Sequence, residues 1–220
     1  MTPRHHPYPE TLMAYAAGTL PNTISCVVAC HLALCPQCAE EARWLAMVGG
    51  AMLRGLEAPP EGSALADALS ARLPAQAPAA SGTAQEARAW RADPVLPGPI
   101  ASYLGLGVGE IPWKTVVKGV RQHWIKLPEG SGQMRLLRLT PGKVLLEHTH
   151  TGMELTMVLQ GIYGDHTGDY RRGDVIEWTE GTMHQPRAGG DEECICLIAN
   201  EHTPRFSRLI ARLLRPILGF

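Results

Sequence analysis

Apolar residues along this chain of 220 residues recur with two different periods, and the change between them divides the sequence. From Pro9 to about Leu73 the intervals are three and four, in "ETLMAYAAGTL", "ISCVVACHLAL", "PQCAEEARWLAMVGGAML" and "SALADALSARL". That is the repeat of an apolar stripe on an α-helix. Gly18 and Pro21 separate the first two segments. Pro36 disfavours helix at Cys35 and suits the first turn of a new one, so Cys35 is expected at a helix junction with Cys38 one turn in. Ser63 is a suitable N-cap for the fourth segment. A small bundle of three or four helices is predicted over residues 1–75.

From Trp113 the period shortens toward two. The runs "KTVVKGV", "HWIKL", "MRLLRL", "ELTMVLQG", "DVIEW" and "CICLIA" are β-rich and separated by Gly and Pro turns, which predicts a sandwich or small barrel of short strands over residues 100–220. Residues 76–99 are rich in Pro, Ala, Gly and Ser and read as a linker, with Trp90 and Val95 as the positions able to tack it down. The tail "PRFSRLIARLLRPILGF" places Phe206, Leu209, Ile210, Leu213 and Leu214 on one stripe and Arg205, Arg208, Arg212 and Arg215 largely outside it. It is read as an amphipathic helix that packs on the barrel or on a second copy, the latter giving a homodimer through the barrel.

Net charge adds little. A formal balance of -1 argues against nucleic acid or an anionic membrane as the main partner. No apolar run approaches the roughly 18 residues a membrane span needs, and the N-terminus lacks a secretory pattern, so a cytoplasmic location is expected. In a reducing compartment the six cysteines point to metal ligation, redox sensing or burial rather than to disulfides.

Two clusters carry candidate chemistry. In "HLALCPQC", His31 and Cys35 are four positions apart and share a helix face, and Cys38 points back from the next helix, which suits tetrahedral zinc. Ala39 stands where haem attachment would need a His. The fourth ligand is to be found among His5, His6, Cys26 and Cys30. Antiparallel packing of the first two helices favours the His pair, and His6 over His5 only slightly.

The second cluster is "GKVLLEHTHTGMELTMVLQG", in which His148, His150 and Glu154 keep one parity on a strand, followed by His184 in "GDVIEWTEGTMHQ". Three imidazoles and a carboxylate suit Zn, Mn, Fe or Ni with positions left open. The spacing resembles the two motifs of the cupin barrel, G-x5-H-x-H-x3,4-E-x6-G and G-x5-P-x-G-x2-H-x3-N. The first matches throughout, and the second departs at Thr179 and Ala188, neither a ligand position. The resemblance implies a double-stranded β-helix (jelly-roll) fold. A catalytic cupin, a dioxygenase or an isomerase, is one activity such a site supports; a small-molecule-sensing regulator is another.

Helices followed by a cupin, with "RHH" at Arg4 to His6, "AYAAGTL", "HLALCPQC", "HTHTGMELTMVLQG" and "CICL" in that order, resemble the ChrR group of zinc-binding anti-sigma factors over nearly the whole chain. The resemblance implies that His6, His31, Cys35 and Cys38 bind structural zinc and that His148, His150, Glu154 and His184 bind a second divalent metal. It also implies that the helical region inhibits an extracytoplasmic-function sigma factor, with release under singlet oxygen or peroxide stress governed by the cupin, and no enzymatic activity. Cys194 and Cys196 share one strand face and are candidates for oxidant sensing, with core packing as the competing role.

Overall fold

In the computed structural model, the structure describes residues 2–56, 62–72, 93–126 and 132–201. The first three expected helices are α1 (Pro9–Ala16), α2 (Asn22–Leu32) and α3 (Pro36–Arg54). Each begins at a proline in or just before its first turn, where the missing N–H costs nothing. Cys35 caps α3 in an extended conformation, which leaves its side chain and that of Cys38 on the same side of the junction. A fourth helix, α4, runs from Gly62 to Arg72, so Ser63 lies inside it rather than capping it. The tail helix expected after residue 201, and Trp90 with most of the linker, lie outside the described residues.

Asp93 opens the next segment by accepting hydrogen bonds from the amides of Val95 and Leu96, both at 2.8 Å. Val95 and Leu96 are buried, and α5 (Gly98–Leu104) follows at once, closed by Gly105 in the left-handed conformation. The end of the segment read as linker is therefore packed chain.

Eleven strands follow in the described residues: β1 (Lys114–Val117), β2 (Val120–Ile125), β3 (Gln133–Leu139), β4 (His148–Thr149), β5 (Glu154–Gln160), β6 (Ile162–Gly164), β7 (Asp169–Tyr170), β8 (Val175–Trp178), β9 (Met183–His184), β10 (Arg187–Gly189) and β11 (Cys194–Asn200). They form an antiparallel sheet ordered β1-β2-β3-β11-β5-β8, a second ordered β10-β6-β7, and the pair β4-β9. The glycines of both cupin-like motifs, Gly142, Gly161, Gly173 and Gly181, all have positive φ, a conformation glycine adopts without steric cost.

Alternation along the large sheet sorts its residues into two cores. Leu137, Val158, Cys194, Cys196 and Ile198 face the barrel interior with Tyr163 and Trp178. Leu136, Leu155, Met157, Ile195 and Leu197 face outward and meet Ile24, Val27 and Val28 of α2 and Ile100 of α5. The helical region is thus not a free-standing bundle: α1 and α3 pack on each other, while α2 also packs on β5 and β11. The reason is legible in α2, where "ISCVVAC" is apolar on more than one face and buries both.

Candidate metal centres

Two groups of His and Cys among the described residues bring their ligand atoms within 4.8 Å of one another: His6, His31, Cys35 and Cys38, and His148, His150 and His184. In the first, His6 Nδ1 lies 3.4 Å from Cys35 Sγ, 3.2 Å from Cys38 Sγ and 3.4 Å from His31 Nε2. A tetrahedral ion with Zn–S near 2.3 Å and Zn–N near 2.0 Å spaces its ligand atoms by about 3.3–3.8 Å. The donor set and its dimensions therefore fit zinc.

His5 points elsewhere: its ring nitrogen is 3.3 Å from Asp174. Cys26 and Cys30 belong to the helical core, and the Cys30 thiol is held protonated by its contact with Cys26 and by burial. Burial, the neighbouring thiol of Cys35 and the charge of Glu41 push Cys38 up to about 12. A cation among these groups reverses that bias by stabilising the thiolate.

The supporting contacts come from the barrel. His31 Nδ1 donates to the backbone carbonyl of Gly173 at 2.8 Å. A carbonyl only accepts, so the proton sits on Nδ1 and the Nε2 lone pair faces the cluster. Asp174 accepts from the amides of Arg4 (2.6 Å), His5 (3.0 Å) and Arg171 (2.9 Å). The amide of Val175 donates to His5 O at 3.1 Å, and Glu177 accepts from Tyr8 N and Thr11 Oγ1. A Cβ on Gly173 would stand 2.7 Å from Pro3 Cγ, so the N-terminal segment closes against this turn. Burial opposes the charge on Asp174, yet these donors hold its carboxyl below the usual carboxylate range. His31 is pushed down, chiefly by burial.

In the second group, β4 and β9 pair His148 directly with His184. Nε2 of His184 lies 2.9 Å from Nε2 of His150 and 3.2 Å from Nε2 of His148. His148 Nδ1 donates to Leu146 O at 2.9 Å, and His184 Nδ1 faces Asp165 Oδ2 at 3.4 Å. Burial pushes His148 down to about 4, so its imidazole is neutral at pH 7. Lone pairs converging at such distances suit a shared cation, and nitrogens about 3.0 Å apart match adjacent positions around a metal bound at 2.0–2.1 Å.

Glu154 is placed differently from the three imidazoles. Its carboxylate lies behind His150, 3.2 Å from Nδ1, and accepts from Thr156 Oγ1 and Asn200 Nδ2. Burial opposes its charge, but the contact with His150 and the charge of Arg135 hold it down to about 2. It therefore stands as a buried anion beside His150 Nδ1.

Four contributors escape a reading by motif: Asp165, Asn200, Asp174 and the carbonyl of Gly173. Asp174 had a signal, since it follows the motif glycine in "GDVIEW". The other three act across the fold without a local pattern. Cys194 and Cys196 lie with their sulfurs 3.6 Å apart in the barrel interior. The contact between them and full burial raise Cys196 well above the usual thiol range, which keeps it a thiol.

Comparison with known proteins follows this geometry. Residues 104–204 match the family described as the ChrR Cupin-like domain. The anti-sigma-E factor ChrR of Cereibacter sphaeroides is 39% identical over 217 residues, 98% of each chain. The crystal structure of Rhodobacter sphaeroides SigE in complex with the anti-sigma ChrR superposes with a TM-score of 0.72 at 34% identity, covering 90% of this chain and 98% of that one. Likeness at this identity over both halves, with a cupin-like barrel behind a His and Cys cluster, places the chain in the ChrR family of anti-sigma factors.

Proposed function

We propose that this protein binds an extracytoplasmic-function sigma factor through its helical region and keeps it from RNA polymerase, and that the barrel controls release. The observation that carries the proposal is the outward face of α3. Trp44, Met47, Val48, Met52 and Leu53 are all more than half exposed and succeed one another at helical spacing. A helix that, among the described residues, packs on its other side and keeps a Trp- and Met-rich stripe exposed is built to bury that stripe in a partner. The ChrR family supplies the class of partner.

Zinc at His6, His31, Cys35 and Cys38 ties the N-terminal segment to the start of that helix. A second divalent metal, zinc, manganese, iron or nickel, is held by His148, His150 and His184, with Glu154 and Asp165 behind two of them. The link between the centres is the turn at Gly173 and Asp174, which holds His31 and the segment before His6. A change in the barrel that shifts this turn alters the zinc junction, and with it the setting of α3. Singlet oxygen or peroxide is the stress we assign to that change, acting in the cytoplasm, and Cys194 and Cys196 serve as packing residues rather than as the sensor.

Co-expression of the full chain with the extracytoplasmic-function sigma factors of its host tests the reading. A one-to-one complex is expected with one of them, lost on Trp44→Arg and Met47→Glu with metal content unchanged. Failure of every such sigma factor to co-purify refutes it. Turnover of a diketone, flavonol or sugar by the pure protein would favour a cupin enzyme instead.

A further inference from the structure

A cavity of about 370 Å³ opens beside the barrel centre, between β1, β2, β3 and the segment leading to His148. Its volume falls within the range of roughly 300–1,000 Å³ usual for small-molecule sites. Val120, Leu137 and Leu146 supply apolar walls, while Gln122, Arg135, Lys143 and His148 supply the polar groups. Among its described lining residues there is no Phe, Tyr or Trp, which suits an aliphatic body better than a planar one. His148 belongs to both the cavity and the His148, His150 and His184 cluster, so the head of a ligand seated here lies beside that cluster.

Charge selects the head. Arg135 and Lys143 both line the cavity, and among its described lining residues no carboxylate does. An anionic head therefore meets complementary charge there, and a neutral head does not.

We infer that this cavity binds an aliphatic monocarboxylate, its chain between Val120, Leu137 and Leu146 and its carboxylate between Arg135 and the metal beside His148. The inference rests on the reading of the barrel cluster as a metal site. Val144, half exposed at the mouth, is the position from which the cavity can be filled without touching the cluster.

The test uses full-length protein loaded with both metals, octanoate as the probe, and metal analysis of every sample. Saturable one-to-one binding of octanoate by calorimetry is expected, at least tenfold tighter than binding of octan-1-ol or acetate. Val144→Trp should weaken it tenfold or more at unchanged metal content, and Lys143→Gln should weaken octanoate without affecting octan-1-ol. No saturable octanoate binding in protein that retains its barrel metal overturns the ligand proposal alone. Equal binding of octan-1-ol, or an unaffected Val144→Trp variant, overturns it as well. Protein that takes up no barrel metal overturns the metal reading, and with it the placing of the carboxylate beside His148.

Discussion

Asp174→Asn is the sharpest probe of the link between the two centres. In the wild type Oδ1 takes the amides of Arg4 and His5, and Oδ2 takes the amide of Arg171 and the ring of His5. An asparagine keeps one oxygen and turns an NH2 toward donors on the other side, whichever way it is placed. Hydrogen bonds to a charged group contribute about 1.5–3 kcal/mol each. If only one such bond is felt at His6, two residues from Arg4, zinc affinity falls about tenfold, since 1.4 kcal/mol is a factor of ten. Loss of both Arg4 and His5 contacts raises this to about a hundredfold or more. The assay is competition with a chromophoric chelator, with barrel metal counted separately. Zinc affinity within twofold of wild type refutes the claim that this carboxylate holds the N-terminal segment. The pH dependence has a definite sign. The carboxyl is depressed in the folded protein, so its contribution is complete above the ordinary Asp value of about 3.9 and is lost as pH falls through the lower folded value. The stability difference between wild type and the Asn variant should therefore shrink in that acid window, and the two should converge below it in urea titrations.

Three further outcomes follow from the geometry. Asp165→Asn should lower barrel metal affinity about 10–100-fold, as expected for a carboxylate that orients a ligand imidazole, and leave the first centre loaded; chelator titration within twofold of wild type refutes it. His148→Ala should reduce total bound metal by one equivalent by elemental analysis, with thiol accessibility at Cys35 and Cys38 unchanged. Leu136→Ala, fully buried between the sheet and the helices, should cost about 2–5 kcal/mol in urea unfolding. Because that core is shared, the loss should appear in helical and β signals at the same midpoint.

The periodic elements were legible because each obeys a local rule: spacing of three and four for α1 to α3, short β-rich runs bounded by turn residues for β3, β5 and β11, and proline at helix starts. His31, Cys35 and Cys38 were legible for the same reason, since one helix end and one turn bring them together. His6 against His5 was not, because adjacent residues share their local signals and the choice is made by Asp174, which captures His5. The position of Glu154 was not either; strand parity puts it inside the barrel, but Asn200 and Thr156 draw it behind His150. The docking of α2 on β5 and β11 depends on two surfaces more than 100 residues apart, and only the all-round apolar character of α2 hinted at it.

The seam where α2 meets the sheet also governs how this protein can be cut and recombined. A fragment ending before residue 76 would carry Ile24, Val27 and Val28 into water, and an isolated barrel would do the same with Leu155, Met157 and Leu197. Chimeras that join the helices of one relative to the barrel of another should be soluble only when both sides of this seam come from the same parent. Within the family, substitutions on α2 and on the outer faces of β5 and β11 should accordingly be inherited in compensating pairs.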